Sequence, residues 1–147
     1  VTDANAVRPA VEERGELSLS LAGMTMVLRP SYEAITAYEN DLGRGSVLLA
    51  NEALAKRLKL GEVAQIATHC IRAFGQETGS KDMAGATPKR IAMLILDSDD
   101  GIIGANGTLA AMLSLVVTGG YDSAGNPKAS TMTTMKTETT EEAPVDA

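Results

Sequence analysis

The chain has 147 residues, enough for one domain with a real core, and 44% of them are apolar. Only 3% are aromatic, tryptophan is absent and the formal charge is −6, which argues against base stacking, phosphate contacts and hence a nucleic-acid surface. Cys70 is the single cysteine, so no internal disulfide and no cysteine-based zinc site can form, in keeping with a reducing cytoplasm.

Residues 1–14 are polar, carry Pro9 and read as a flexible lead-in with no signal-peptide pattern. Glu16 to Arg29 reads as a β-hairpin. Leu17, Leu19 and Leu21 alternate with serine, and Met24, Met26 and Leu28 repeat that period of two beyond an Ala22-Gly23 turn. Pro30 stops the second strand, and Ser31 can cap a helix over Tyr32–Leu42 that Gly43 ends. A second helix is expected from Val47 to Leu58, capped by Ser46, with Val47, Leu54 and Leu58 turned inward.

The third helix, about Glu62 to Phe74, has the clearest pattern. Val63, Ile66, Ala67, Cys70, Ile71 and Phe74 follow the spacing of one helical face, and Gly75 is expected to end it. A polar loop over 75–86 leads to Thr87-Pro88, a cap followed by proline at the first helical position. That fourth helix carries Ile91, Leu94 and Ile95 until Asp97–Gly101 interrupts it. A fifth helix presents Leu109, Met112, Leu113, Val116 and Val117 and stops at Gly119-Gly120. Residues 121–147 are rich in Thr, Ser, Glu and Pro, carry a net −3, and are expected to form a disordered acidic tail. The expected fold is α+β: an N-terminal antiparallel hairpin packed on four to five short helices over 15–120. No run of about 18 apolar residues suggests a membrane span.

Candidate chemistry is sparse. His69, the only histidine, falls off the apolar stripe of its helix and reads as a solvated surface residue. Cys70 lies on the stripe, about 100° around the helix from His69, out of reach for a nucleophile–base pair, and reads as a small core residue. Asp97, Asp99 and Asp100 suggest a calcium loop, but Gly101, Ile102 and Thr108 stand where an EF-hand loop needs a ligand, glycine and glutamate. A solvated helix break is the better account. Gly101, Gly104 and Gly107 follow no strand and match no phosphate-binding fingerprint. Ser18 and Ser20 lie on the outer face of the hairpin with no base nearby. Met24, Met26, Met93 and Met112 read as core fillers, although exposed methionines would give an adaptable binding surface. No catalytic, cofactor-binding or metal-binding residue is therefore expected.

The hairpin and first helix together, GELSLSLAGMTMVLRPSYEAITAYENDLG over Gly15 to Gly43, resemble the tail assembly chaperones of siphophages and gene transfer agents. In that family a hairpin opening on Gly-Glu precedes a helix whose pattern Ala34 and Glu39 fit, and the resemblance covers about residues 14–120. It implies a non-enzymatic chaperone in the cytoplasm of the bacterial host that binds the tape-measure protein and tail-tube subunits, with no membrane or nucleic-acid partner and with self-association open. The alternatives are a structural tail component retained in the mature particle, an enzyme using His69 or Asp97–Asp100, and a regulatory adaptor domain. The acidic tail and the long break before the last helix depart from the family pattern.

Overall fold

The computed structural model describes residues 17–128; the expected lead-in over 1–14 and everything from 129 onward lie outside the described residues. Two strands, β1 (Leu17–Leu21) and β2 (Met24–Leu28), precede six helices: α1 (Tyr32–Leu42), α2 (Ser46–Leu54), α3 (Leu60–Thr78), α4 (Lys81–Ala84), α5 (Pro88–Leu96) and α6 (Gly101–Val117). The α+β class and the hairpin-first order are as expected.

The strands are antiparallel, with Leu17 opposite Leu28, Leu19 opposite Met26 and Leu21 opposite Met24. Their two-residue turn has positive φ at both Ala22 (49°) and Gly23 (85°), the twist that suits a tight hairpin. Leu19, Leu21, Met26 and Leu28 are buried on one face, and Val27 on the opposite face is buried as well. Met24, at the turn, is exposed rather than in the core.

α3 is the hub, with α1, α4, α5, α6 and β2 all packed on it. Its whole predicted stripe, Val63 to Phe74, is buried. Gly75 does not end this helix, which continues to Thr78 and stops at Gly79 with φ 80°. Gly75 is instead a contact point: a Cβ there would lie 2.2 Å from the Ala84 backbone nitrogen, so glycine lets α4 rest directly on α3. The single turn of α4 falls in the segment expected to be a loop, with Ser80 capping it and Met83 driven into the core. α5 opens as expected, the Thr87 hydroxyl accepting from the Arg90 N–H at 3.2 Å. It buries Ile91 and Ile95 but leaves Met93 exposed.

α2 departs most from expectation. Ser46 is its first residue and Gly45 its cap, and it buries Leu49, Ala50 and Ala53 while Val47 and Leu54 face solvent. It ends at Leu54 because Lys56 takes φ 59°, and the Arg57 and Lys56 N–H groups close back on Glu52 and Ala53 at 2.8 and 3.0 Å. This is a Schellman ending with lysine where glycine is usual. It returns Leu58 to the core.

Residues 121–128 were expected to start the acidic tail, yet they form a turn laid on the β2–α1 junction. Tyr121 and Pro127 make an isolated antiparallel bridge, and the Tyr32 N–H donates to the Ser123 carbonyl at 2.8 Å. Asn126 accepts from the Arg29 guanidinium at 2.9 Å. The segment lacks an apolar pattern because backbone and side-chain hydrogen bonds hold it, with Tyr121 alone of its large side chains half-buried against the core.

Candidate interaction surface

The order of burial in α2 and α6 sets up an apolar surface. α2 is apolar on both sides, so one side must face water wherever the helix packs. Its small residues Ala50 and Ala53 are turned inward, and α6 is the element it contacts most. Val47, Leu48 and Leu54 are thereby left outward. α6 is a 17-residue helix without a single charged residue, and Ile102, Ile103 and Val117 stay exposed on it.

Polar groups position this pair. The Tyr38 hydroxyl meets the Ser46 hydroxyl at 3.1 Å, and the Glu39 carboxylate accepts from both the N–H and the hydroxyl of Ser46, at 2.7 and 2.8 Å. Burial pushes the Tyr38 phenol far above its usual range, with the nearby Cys70 and Glu39 adding to the effect against the Ser46 bond. It is thus a neutral hydrogen-bonding group at any physiological pH. Arg44 spans Glu52 of α2 at 3.0 Å and Glu62 of α3 at 2.7 Å, locking α2 to the hub. The Glu62 carboxylate also accepts from the Lys59 N–H at 2.9 Å, tying off the start of α3. At the other end of α2, the buried Asn106 side chain brackets Leu58.

The residues singled out in the sequence fall elsewhere. His69 is partnered: its Nε2 lies 2.7 Å from Asp41 Oδ2, linking α3 to α1. It borders a cleft of about 490 Å³ between those helices, together with Arg29, Arg72, Glu33 and Glu77. Both arginines are engaged, Arg29 by Asn126 and Arg72 by the Ala86 carbonyl at 2.6 Å, so the cleft wall is built from cross-links between elements. Cys70 is fully buried, and burial raises its thiol far above the usual range, which leaves no thiolate for chemistry.

Asp97, Asp99 and Asp100 sit at the break between α5 and α6, where the two helices bend by 119°. Ser98, among them, ties the break to the hairpin: its hydroxyl accepts from the Ala22 N–H at 2.8 Å and donates to the Leu94 carbonyl at 2.7 Å. Gly101, Gly104 and Gly107 lie within the first turns of α6. Among the described residues no group of three or more His, Cys, Asp or Glu side chains converges to hold a metal ion. No single helix among them is long and apolar enough to cross a membrane.

The profile of one protein family, described as phage tail tube protein, GTA-gp10, matches residues 14–119. The chain belongs to that family. The match takes in every strand and helix of the fold, and its bounds agree with the span of about 14–120 expected from the resemblance. The family is described by the tube rather than by a chaperone, and that description fits the structural alternative better than the chaperone reading. Comparison of this family member with curated proteins and with solved structures returns no match. The α2–α6 surface was missed in the sequence, although the signal was present: Val47, Leu48 and Leu54 leave α2 no polar side except at Asn51 and Glu52.

Proposed function

We propose that this chain is a non-enzymatic structural component of a phage-type tail, retained in the mature particle and held there by contacts with other tail proteins. The observation that carries the reading is the tail tube family match over residues 14–119. The exposed apolar faces of α2 and α6 support it, because a contact surface of this kind serves assembly and needs no catalytic group. The test is quantitative mass spectrometry of purified particles. A tube component is found in many copies per particle, in fixed ratio to the other tail proteins. Absence from washed particles, with the protein abundant in the lysate, would overturn it.

A second reading, a tail assembly chaperone for the tape-measure protein, has one structural observation in its favour. The sheet consists of two five-residue strands, so the exposed binding surface is helical and suits an amphipathic partner helix. Co-expression distinguishes it: a chaperone keeps the cognate tape-measure protein soluble and elutes with it.

A further inference from the structure

We propose that the acidic segment over 129–147 of the same chain, which lies outside the described residues, docks along the outer face of α2. In this arrangement Met132 and Met135 cover Val47, Leu48 and Leu54, and Glu138, Glu141 and Glu142 meet Lys56 and Arg57. The face is apolar first and basic after. Val47, Leu48 and Leu54 are 63, 57 and 59% exposed. Lys56 and Arg57 follow directly, both exposed, and neither forms an ion pair among the described residues. The segment has the same order: two methionines, then Glu138, Glu141, Glu142 and Asp146 against Lys136 alone, a net −3.

The point where the segment begins gives the two orders the same direction. A Cβ on Gly107 would lie 3.5 Å from Lys56 Nζ, and Asn106 holds Leu58, so α2 ends against the first half of α6. Only the stretch of α6 after Gly107 is long enough for the nine-residue α2 to lie along, which puts Val47 toward the Val117 end. Lys128 is at that same end: its N–H donates to the Gly120 carbonyl at 2.9 Å, and its Nζ lies 3.9 Å from where a Gly119 Cβ would stand. From Gly119 back to Gly107 is about 18 Å along the helix axis. Glu138 follows Lys128 by ten residues, which span up to about 33 Å when extended, so the carboxylates reach Lys56 with slack. The area favours an occupant from the same chain. Val47, Leu48 and Leu54 expose on the order of 300 Å² together, well short of the about 800 Å² per partner of a standard interface between separate molecules. A tethered segment escapes most of the cost of association, because a short tether holds it at an effective concentration of about a millimolar. A face covered in this way is kept from non-specific contact until a tail partner displaces the segment. That consequence rests on the proposed tail role; the docking does not, and is read on the isolated chain.

Paramagnetic relaxation enhancement in the full, nitrogen-15-labelled chain is the test. Because Cys70 is buried, a nitroxide on Met135→Cys labels that position alone. It is expected to broaden the amide signals of Val47, Leu48 and Leu54 and to spare Met93 and Leu96, which are also exposed but on α5. Glu141→Lys with Glu142→Lys is expected to reduce the broadening at Leu48 at least about threefold, as is raising the salt to about 1 M, where charges are screened within about 3 Å. Both substitutions lie beyond the described fold, and adding Arg57→Glu to them should restore part of the effect. No broadening on α2, equal broadening on α5, or indifference to the charge reversal would each overturn the proposal. Equal broadening when the nitroxide is carried by a separate, unlabelled copy would assign the face to a second molecule and overturn it too.

Discussion

Asn106 holds Leu58, 48 residues away, by both of its backbone groups. The Asn106 Oδ1 accepts from the Leu58 N–H at 3.1 Å and its amide nitrogen donates to the Leu58 carbonyl at 3.3 Å. The same amide donates to the Ile102 carbonyl at 3.0 Å. One fully buried side chain thus fixes the α2–α3 connection onto α6.

Asn106→Ala leaves both Leu58 groups buried without partners, at a cost of about 3 kcal/mol. Urea unfolding should show a lower midpoint, and hydrogen exchange should show Leu58 opening first. An unchanged midpoint would mean that the bracket adds nothing to stability.

Two glycines of α3 should respond in opposite directions. Gly75→Ala drives a Cβ into the Ala84 backbone and is expected to destabilise by about 2–3 kcal/mol through displacement of α4. Gly61 has nothing within 4 Å of where its Cβ would stand, so Gly61→Ala should stabilise by up to about 1 kcal/mol through helix propensity alone. Thermal melts of the two variants beside the wild type decide the pair.

Gly125 takes φ 86°, and a Cβ there would approach Arg29 Cγ to 2.8 Å. Gly125→Ala is expected to cost about 2 kcal/mol of local stability and to free the turn over 121–128. Limited proteolysis should then cut near Ala124, a site the wild type protects.

Acid should weaken the fold through two carboxylates. Partial burial works to raise Glu62, but the Lys59 N–H and the bond and charge of Arg44 outweigh it and hold the carboxyl below its usual range. The Asn126 backbone N–H lowers Asp122, against slight burial and with help from the Ala124 N–H. A folded-state pKa below the unfolded one contributes stability that is complete above the unfolded value, about 4, and lost as pH falls through the lowered folded value. Denaturant midpoints should therefore hold near neutrality and decline below about pH 4. Glu62→Gln and Asp122→Asn should lower the neutral plateau and flatten the acid limb.

How legible each element was in the sequence depended on how local its cause is. The α3 stripe was readable because six apolar side chains share one face, and the starts of α1 and α5 because Ser31 and Thr87 cap their own next turn. α2 was misread at both ends. Its period allows either side to face inward, and its stop uses Lys56 in a conformation that sequence reserves for glycine. The interaction surface was hidden by the same ambiguity, since Val47 and Leu54 looked like core until Ala50 and Ala53 took that place. His69 was placed correctly off the apolar stripe, while its partner Asp41 lies 28 residues away and no spacing rule reaches it.

The sequence by itself determined the α+β class, the hairpin followed by helices and the tail-protein resemblance, because strand alternation, helical period and caps act within a few residues. Only the tertiary structure decided which side of α2 meets water, why Gly75 must be glycine, and that residues 121–128 fold back on Arg29. Those outcomes depend on contacts between distant segments, where close backbone approach and paired hydrogen-bonding groups, rather than local preference, set the lower free energy.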